Sequence, residues 1–135
     1  MRNTIRLAYD HLTKDKVMSF LIDKFRDKID WSNRYNSNYP LSIANLIIEQ
    51  QISFKAAITV KKRFAKIVDK KSQSEIMNMS NSDLQSIGIS FRKAEYIKNV
   101  LYFFKSKTID FDKMSNKEVI DCLVSIKGIG EWTAQ

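Results

Sequence analysis

The sequence predicts an all-α protein, a helical bundle whose members are joined by polar loops. Three observations carry this expectation. The 135 residues contain only three Gly and one Pro, too few turn signals for a protein of many short strands. Apolar residues recur at helical spacing along most of the chain. Ser or Thr stands just ahead of these stretches again and again, where helix N-caps belong. With 44% hydrophobic residues the chain can bury a real core, as one domain of ordinary size or most of a larger one, and its composition is not that of a disordered protein.

The elements follow in order. Thr13 reads as an N-cap, with Val17, Phe20, Leu21, Phe25 and Ile29 on one inward side. Residues 31–39, rich in Asn and Ser, read as a loop, so residues 1–39 form an N-terminal helical segment and loop ahead of a main domain at 40–135. Pro40 suits the first turn of a helix in which Leu41, Ala44, Leu46, Ile47 and Ile48 are apolar on most sides. That helix should run through the core and end near Gln50 and Gln51. Ser53 then caps a helix whose buried face is Ala57, Val60, Phe64, Ile67 and Val68, with Lys55, Lys62 and Lys66 on a solvated face. Ser80 and Asp83 have capping-box spacing and open a short helix that Gly88 stops. Ser90 opens another, with Ala94, Ile97, Leu101 and Phe104 inward and Arg92, Lys93, Lys98 and Lys105 outside. After a loop around Asp110 and Asp112, the capping box Ser115/Glu118 opens a helix that buries Val119, Ile120, Leu123 and Ile126. There is no repeat at solenoid period and no low-complexity tract.

A net charge of +8 favours a polyanionic partner, nucleic acid first and an anionic membrane surface second. Cys122 is the lone cysteine, which excludes an internal disulfide or a multi-cysteine metal cluster and points to a reducing compartment. No signal peptide and no bilayer-length apolar run occurs, so the expected protein is soluble and intracellular, in the cytoplasm, nucleoid or nucleus. His11, Met77, Met79 and Met114 read as surface and packing positions.

The most informative stretch is Leu123 to Ala134, in which Gly128 and Gly130 flank Ile129 between one amphipathic helix and the start of the next. Such a turn can adopt positive φ at both glycines and bring bare backbone close to a ligand. Its N–H groups would suit a DNA phosphate, and Ile129 would point inward and lock the helices together. The plainer reading is a glycine C-cap joining two packed helices.

The wider string, Leu-x-x-Ile-x-Gly-Ile-Gly followed by Trp132-Thr133-Ala134, resembles the hairpin of the DNA-3-methyladenine glycosylase II family, monofunctional base-excision enzymes of the helix-hairpin-helix superfamily. Two further stretches are similar to the same family in the same order. One is the run from Pro40 to Ala57 with Ile48-Glu49-Gln50-Gln51-Ile52-Ser53, and the other is Leu84 to Ile97. The resemblance spans Pro40 to Gln135, and the N-terminal helix more weakly.

The resemblance implies the fold of that superfamily, incomplete at the C-terminus, and an enzyme that hydrolyses the N-glycosidic bond of alkylated purines such as 3-methyladenine. Its partner would be double-stranded DNA with damaged bases, bound by a monomer without a membrane role. Such enzymes extrude the damaged nucleotide and fill the gap with a side chain. The loop Gln50, Gln51, Ile52 and Ser53 would supply that wedge, Gln51 being the best positional match. The alternative is that Gln50 and Gln51 only satisfy helix-end carbonyls.

Lys127, Gly128, Ile129, Gly130 and Thr133 would form the phosphate-binding hairpin. Trp132 would form the wall of the base pocket, stacking on a cationic purine; a core position is its plainer reading. Because bifunctional relatives carry a nucleophilic lysine where Trp132 stands, the resemblance implies hydrolysis without strand cleavage. The family's catalytic aspartate is expected beyond Gln135. Asp110, Asp112, Asp121 and Glu131 do not match its place, so no residue here takes the catalytic role and the chain by itself is expected to be inactive. No metal site or cofactor is implied, apart from a structural monovalent cation at the DNA-bound hairpin. The competing readings are a non-catalytic helix-hairpin-helix DNA-binding module and a basic helical interaction protein.

Overall fold

In the computed structural model, which describes residues 2–28 and 38–135, every regular element is helical and no strand occurs among the described residues. The chain divides into two compact units, Met1–Ser37 and Asn38–Gln135.

The first unit contains α1 (Arg2–Leu12), α2 (Lys16–Phe25) and a 3-10 turn at Arg26–Lys28. Sequence periodicity had not marked α1. The α2 cap is Asp15, whose carboxylate accepts from the amides of Val17 and Met18, both at 2.9 Å. Thr13 is not the cap, because the preceding helix is still closing there: its amide donates to the Tyr9 carbonyl and its hydroxyl to that of Asp10. The expected inward stripe also changes. Val17 and Phe20 are 66% and 60% exposed, Leu21 and Phe25 are exposed too, and the buried residue is Ile22. Two short helices have too little surface to cover a full apolar stripe. The Lys24 ammonium lies 5.5 Å from the Phe20 ring centroid and Lys28 lies 5.6 Å from that of Phe25, contacts that shield part of the stripe. Ile29 and the expected loop at 31–37 lie outside the described residues.

The second unit holds α3 (Tyr39–Glu49), α4 (Phe54–Val68), α5 (Gln73–Asn78), α6 (Asn81–Gln85), α7 (Phe91–Ser106), α8 (Asn116–Val124) and α9 (Glu131–Ala134). The last two residues of the predicted loop are the Asn38 cap and the first helical residue, Tyr39, with Pro40 in the first turn where its missing N–H costs nothing. Helices α3 and α7 cross at the centre of the unit. Ala44, Ile47 and Ile48 of α3 and Ala94, Ile97, Val100 and Leu101 of α7 are fully enclosed. Around this axis Val60 and Phe64 of α4, Ile76 of α5 and Leu84 of α6 close the core. Phe104 is half-buried and meets Phe103 and Phe111 edge-on.

Local rules account for the boundaries. Ser53, Ser80, Ser90 and Ser115 each accept the amide three residues on, as read from the sequence. Ser115 and Glu118 close a reciprocal capping box. An unforeseen second box, Ser72/Glu75, starts α5. In both boxes hydrogen bonds from Ser hold the glutamate below its ordinary pKa.

One turn is built twice. After α6 the chain runs Ser86, Ile87, Gly88, Ile89, Ser90; after α8 it runs Ser125, Ile126, Lys127, Gly128, Ile129, Gly130. Gly88 has φ +103° and Gly128 φ +108°, and the isoleucines on either side are buried in both. A side chain at either glycine would occupy the left-handed region that L-residues avoid.

Candidate nucleic-acid interface

The hairpin between α8 and α9 rests on its isoleucines. The Ile126 amide donates to Leu123 and the Ile129 amide to Ile126, each at 3.0 Å. Both side chains are buried, Ile129 at 5% exposure, so it enters the core and ties the two helices together as anticipated. The two glycines differ. Gly128 takes the left-handed turn, and a Cβ there would lie 2.2 Å from Cγ of Tyr96. Gly130 does not share the positive φ anticipated from the sequence. It is extended, at φ −95° and ψ 171°, because one left-handed residue already reverses the chain and the next must lead into α9. A Cβ on Gly130 would meet nothing within 4 Å, so its absence keeps the outer face open. Gly130 caps α9 through its carbonyl, which accepts from the amides of Thr133 and Ala134. The first amides of α9 have no acceptor within the helix.

A second loop is fastened beside the hairpin. The Gln50 side-chain nitrogen donates to the Thr133 hydroxyl at 3.1 Å and to the Gly128 carbonyl at 3.5 Å. Gln50 therefore braces the hairpin from the end of α3. Its neighbour Gln51 is exposed and holds φ +54°, the left-handed region for a residue with a side chain, a conformation that persists only where surroundings impose it. Lys93 imposes much of it. Its ammonium donates to the carbonyls of Ile48 at 2.8 Å and Gln50 at 2.6 Å. Lys93 thus turns inward, contrary to the outward position expected, because the last carbonyls of α3 lack helical partners and a long cationic side chain can reach them. Burial of the group pushes its pKa down. Ile52 is partly exposed, and the Ser53 hydroxyl is committed to the amide of Ala56 at 3.3 Å.

Between the loop and the hairpin lies a cleft of about 730 Å³ lined by Leu46, Glu49, Gln51, Gly130 and Trp132, among others. Trp132 is 91% exposed, which rules out the core alternative for it. Lys127 is exposed on the hairpin, and its carbonyl accepts from the Asn99 amide at 3.3 Å. Asp110, Asp112, Asp121 and Glu131 are all exposed and none lines the cleft; Asp110 and Asp121 pair with Lys113 and Lys117. The carboxylate that does line the cleft, Glu49, drew no attention in the sequence, although its place directly before Gln50 at the end of α3 was a signal. It forms an ion pair with Lys61 of α4.

A fold of this kind, with a glycine hairpin and a Gln-Gln corner facing one cleft, defines a class. Residues 44–110 match the family described as "HhH-GPD superfamily base excision DNA repair protein". It is 31% identical to DNA-3-methyladenine glycosylase 1 of Schizosaccharomyces pombe, over 92% of this chain and 61% of the relative. It is also 31% identical to DNA-3-methyladenine glycosylase of Saccharomyces cerevisiae, over 73% of this chain and 38% of that protein. The solved structure of the S. pombe 3-methyladenine DNA glycosylase in complex with abasic DNA superposes with TM-score 0.73 at 26% identity, covering 94% of this chain and 66% of that one. A Bacillus halodurans DNA-3-methyladenine glycosidase gives TM-score 0.64 at 35% identity, covering 73% and 48%. The chain thus spans less than two thirds of the curated relatives it matches.

Proposed function

We propose that this chain forms the DNA-gripping and base-receiving part of a monofunctional glycosylase that removes alkylated purines, 3-methyladenine among them, from double-stranded DNA. The observation that carries the reading is the shared cleft: an outward indole, an open glycine hairpin and a strained Gln51 corner line one cavity. In this reading the hairpin from Lys127 to Thr133 holds one phosphodiester through backbone amides, which positions the strand without reading its sequence. Gln51 fills the space left by the extruded nucleotide, because Gln50 is engaged in bracing and Ser53 in capping. Trp132 stacks on the base, where its π face favours the positive charge that alkylation leaves on a purine. An indole offers no amine for a Schiff base, so the expected chemistry is hydrolysis by water. The hydrolytic carboxylate is assigned to none of the residues of this chain.

A structural monovalent cation at the DNA-bound hairpin stays within this proposal: backbone carbonyls of the hairpin would hold it, and those of Lys127 and Gly128, which accept from Asn99 and Gln50, each keep a second lone pair.

The similarity to 3-methyladenine glycosylases, one of them bound to abasic DNA, supports this reading over a binding module without a pocket. The test is direct. The chain, and a version extended by downstream coding sequence, are incubated with duplex DNA carrying one methylated adenine. Release of the base with an abasic, uncleaved strand is expected from the extended form. DNA binding that persists without any excision in the extended form would instead favour the non-catalytic module.

A further inference from the structure

Glu49 is the one charged side chain among the residues that line the cleft. Its position is set by two helices. It ends α3, and its Oε1 accepts from the Lys61 ammonium on α4. Among the described residues no hydrogen bond engages its second carboxylate oxygen. The neighbouring Gln50 is oriented by its own bonds, since its side-chain nitrogen serves Thr133 and Gly128 and its amide oxygen is left as an acceptor. The cleft of a protein with net charge +8 therefore presents an anion, an amide acceptor and the electron-rich face of Trp132, with no cation lining it. Lys93 of α7, which holds the loop, and Lys127 of the hairpin are not among the lining groups.

The geometry points to Glu49 as the residue that reads charge in this cleft, favouring a cationic, hydrogen-bond-donating purine over its neutral counterpart, with Lys61 moderating the effect. The physical reason is simple. Trp132 attracts a cation weakly through its ring quadrupole, whereas a carboxylate contributes a full charge over several ångström in a partly desolvated cavity. Lys61 neutralises part of that charge from the α4 side, so the selectivity depends on how firmly the pair is closed. Both side chains are about two-fifths exposed, at 41% for Glu49 and 39% for Lys61, so either can be exchanged without opening the core.

The identity of the ligand as a purine rests on the repair reading above, and the test separates the two. The full chain with Trp31→Phe, so that Trp132 is the fluorescent reporter, is titrated with 3,9-dimethyladeninium, a permanent cation, and with neutral 9-methyladenine. Tighter binding of the cation is expected. Glu49→Gln should reduce the cation-over-neutral ratio roughly fivefold, the effect of one charge about 4 Å away when solvent screens it as in bulk water. Lys61→Met should raise it, and both variants should retain the unmodified helical content. A ratio unchanged in Glu49→Gln, or lowered in Lys61→Met, would overturn the assignment. Absence of DNA binding by the chain, or of excision by its extended form, with the charge preference intact would count against the repair reading and leave Glu49 as the charge reader.

Discussion

Gly128 and Gly130 look alike in the sequence and should behave as opposites when replaced by alanine. At Gly128 the new methyl group must occupy φ +108° and lie 2.2 Å from Cγ and 2.6 Å from Cβ of Tyr96. The backbone term is about 1–2 kcal/mol for an L-residue held left-handed. Forcing a carbon into a filled site adds about 1–3 kcal/mol. Gly128→Ala should therefore lose about 2–5 kcal/mol, a large share of the roughly 5–15 kcal/mol typical of a domain. At Gly130 the backbone is extended and the space empty. Gly130→Ala should leave stability unchanged or raise it by about 0.4–1 kcal/mol, by restricting the unfolded chain. The same methyl would stand between the hairpin amides and a phosphate, and loss of one or two hydrogen bonds corresponds to about tenfold weaker DNA binding. Urea unfolding followed by circular dichroism measures the first effect, and fluorescence anisotropy with a labelled duplex at fixed salt the second. Equal unfolding midpoints for the two variants, or undiminished DNA affinity in Gly130→Ala, would refute the division of roles.

Gln51→Gly should keep stability or raise it by up to about 1 kcal/mol, because relief of the left-handed strain exceeds the entropic cost of glycine, yet weaken binding to duplexes with an extruded base; a fall in stability would show that the corner is not strained. Lys93→Met should cost about 2 kcal/mol in urea unfolding, since two carbonyls at the end of α3 lose a charged donor, and an unchanged midpoint would show that water replaces it. Burial lowers the pKa of Lys93 in the folded chain, so its charged form is penalised at neutral pH and stability attributable to it should rise with pH through the folded pKa towards the ordinary lysine value. Stability profiles of the native chain and Lys93→Met should diverge in that alkaline window. Glu75 and Glu118 have folded pKa values held down by their serine partners, so their capping contribution is complete above the ordinary glutamate pKa and is lost as pH falls through the lower folded value. Thermal melts of Glu75→Gln and Glu118→Gln should converge on the native chain only in that acidic range.

Most of the second unit was legible in the sequence because its rules are local. A serine whose hydroxyl accepts the amide three residues on, directly ahead of an apolar-periodic stretch, starts a helix, as Ser53, Ser90 and Ser115 do. The stripes Ala57, Val60, Phe64 and Ala94, Ile97, Leu101 declare their buried faces by spacing alone. The failures share another cause. Thr13 met the sequence criteria for a cap, but the preceding helix had not yet ended, and nothing local announced α1. Val17 and Phe20 have the spacing of a core face without enough partner surface to cover them.

The chain's amino-acid order by itself determined the helical class, most helix starts, the glycine hairpin and its burial through Ile126 and Ile129, since each depends on residues within a few positions of one another. Only tertiary structure decided that Lys93 turns inward, that Gln50 braces rather than projects, that Gly130 is open while Gly128 is packed, and that Glu49 faces the same cavity as Trp132. Those outcomes join residues up to 83 positions apart. They follow from which unsatisfied carbonyls and which empty spaces the packed helices bring within reach.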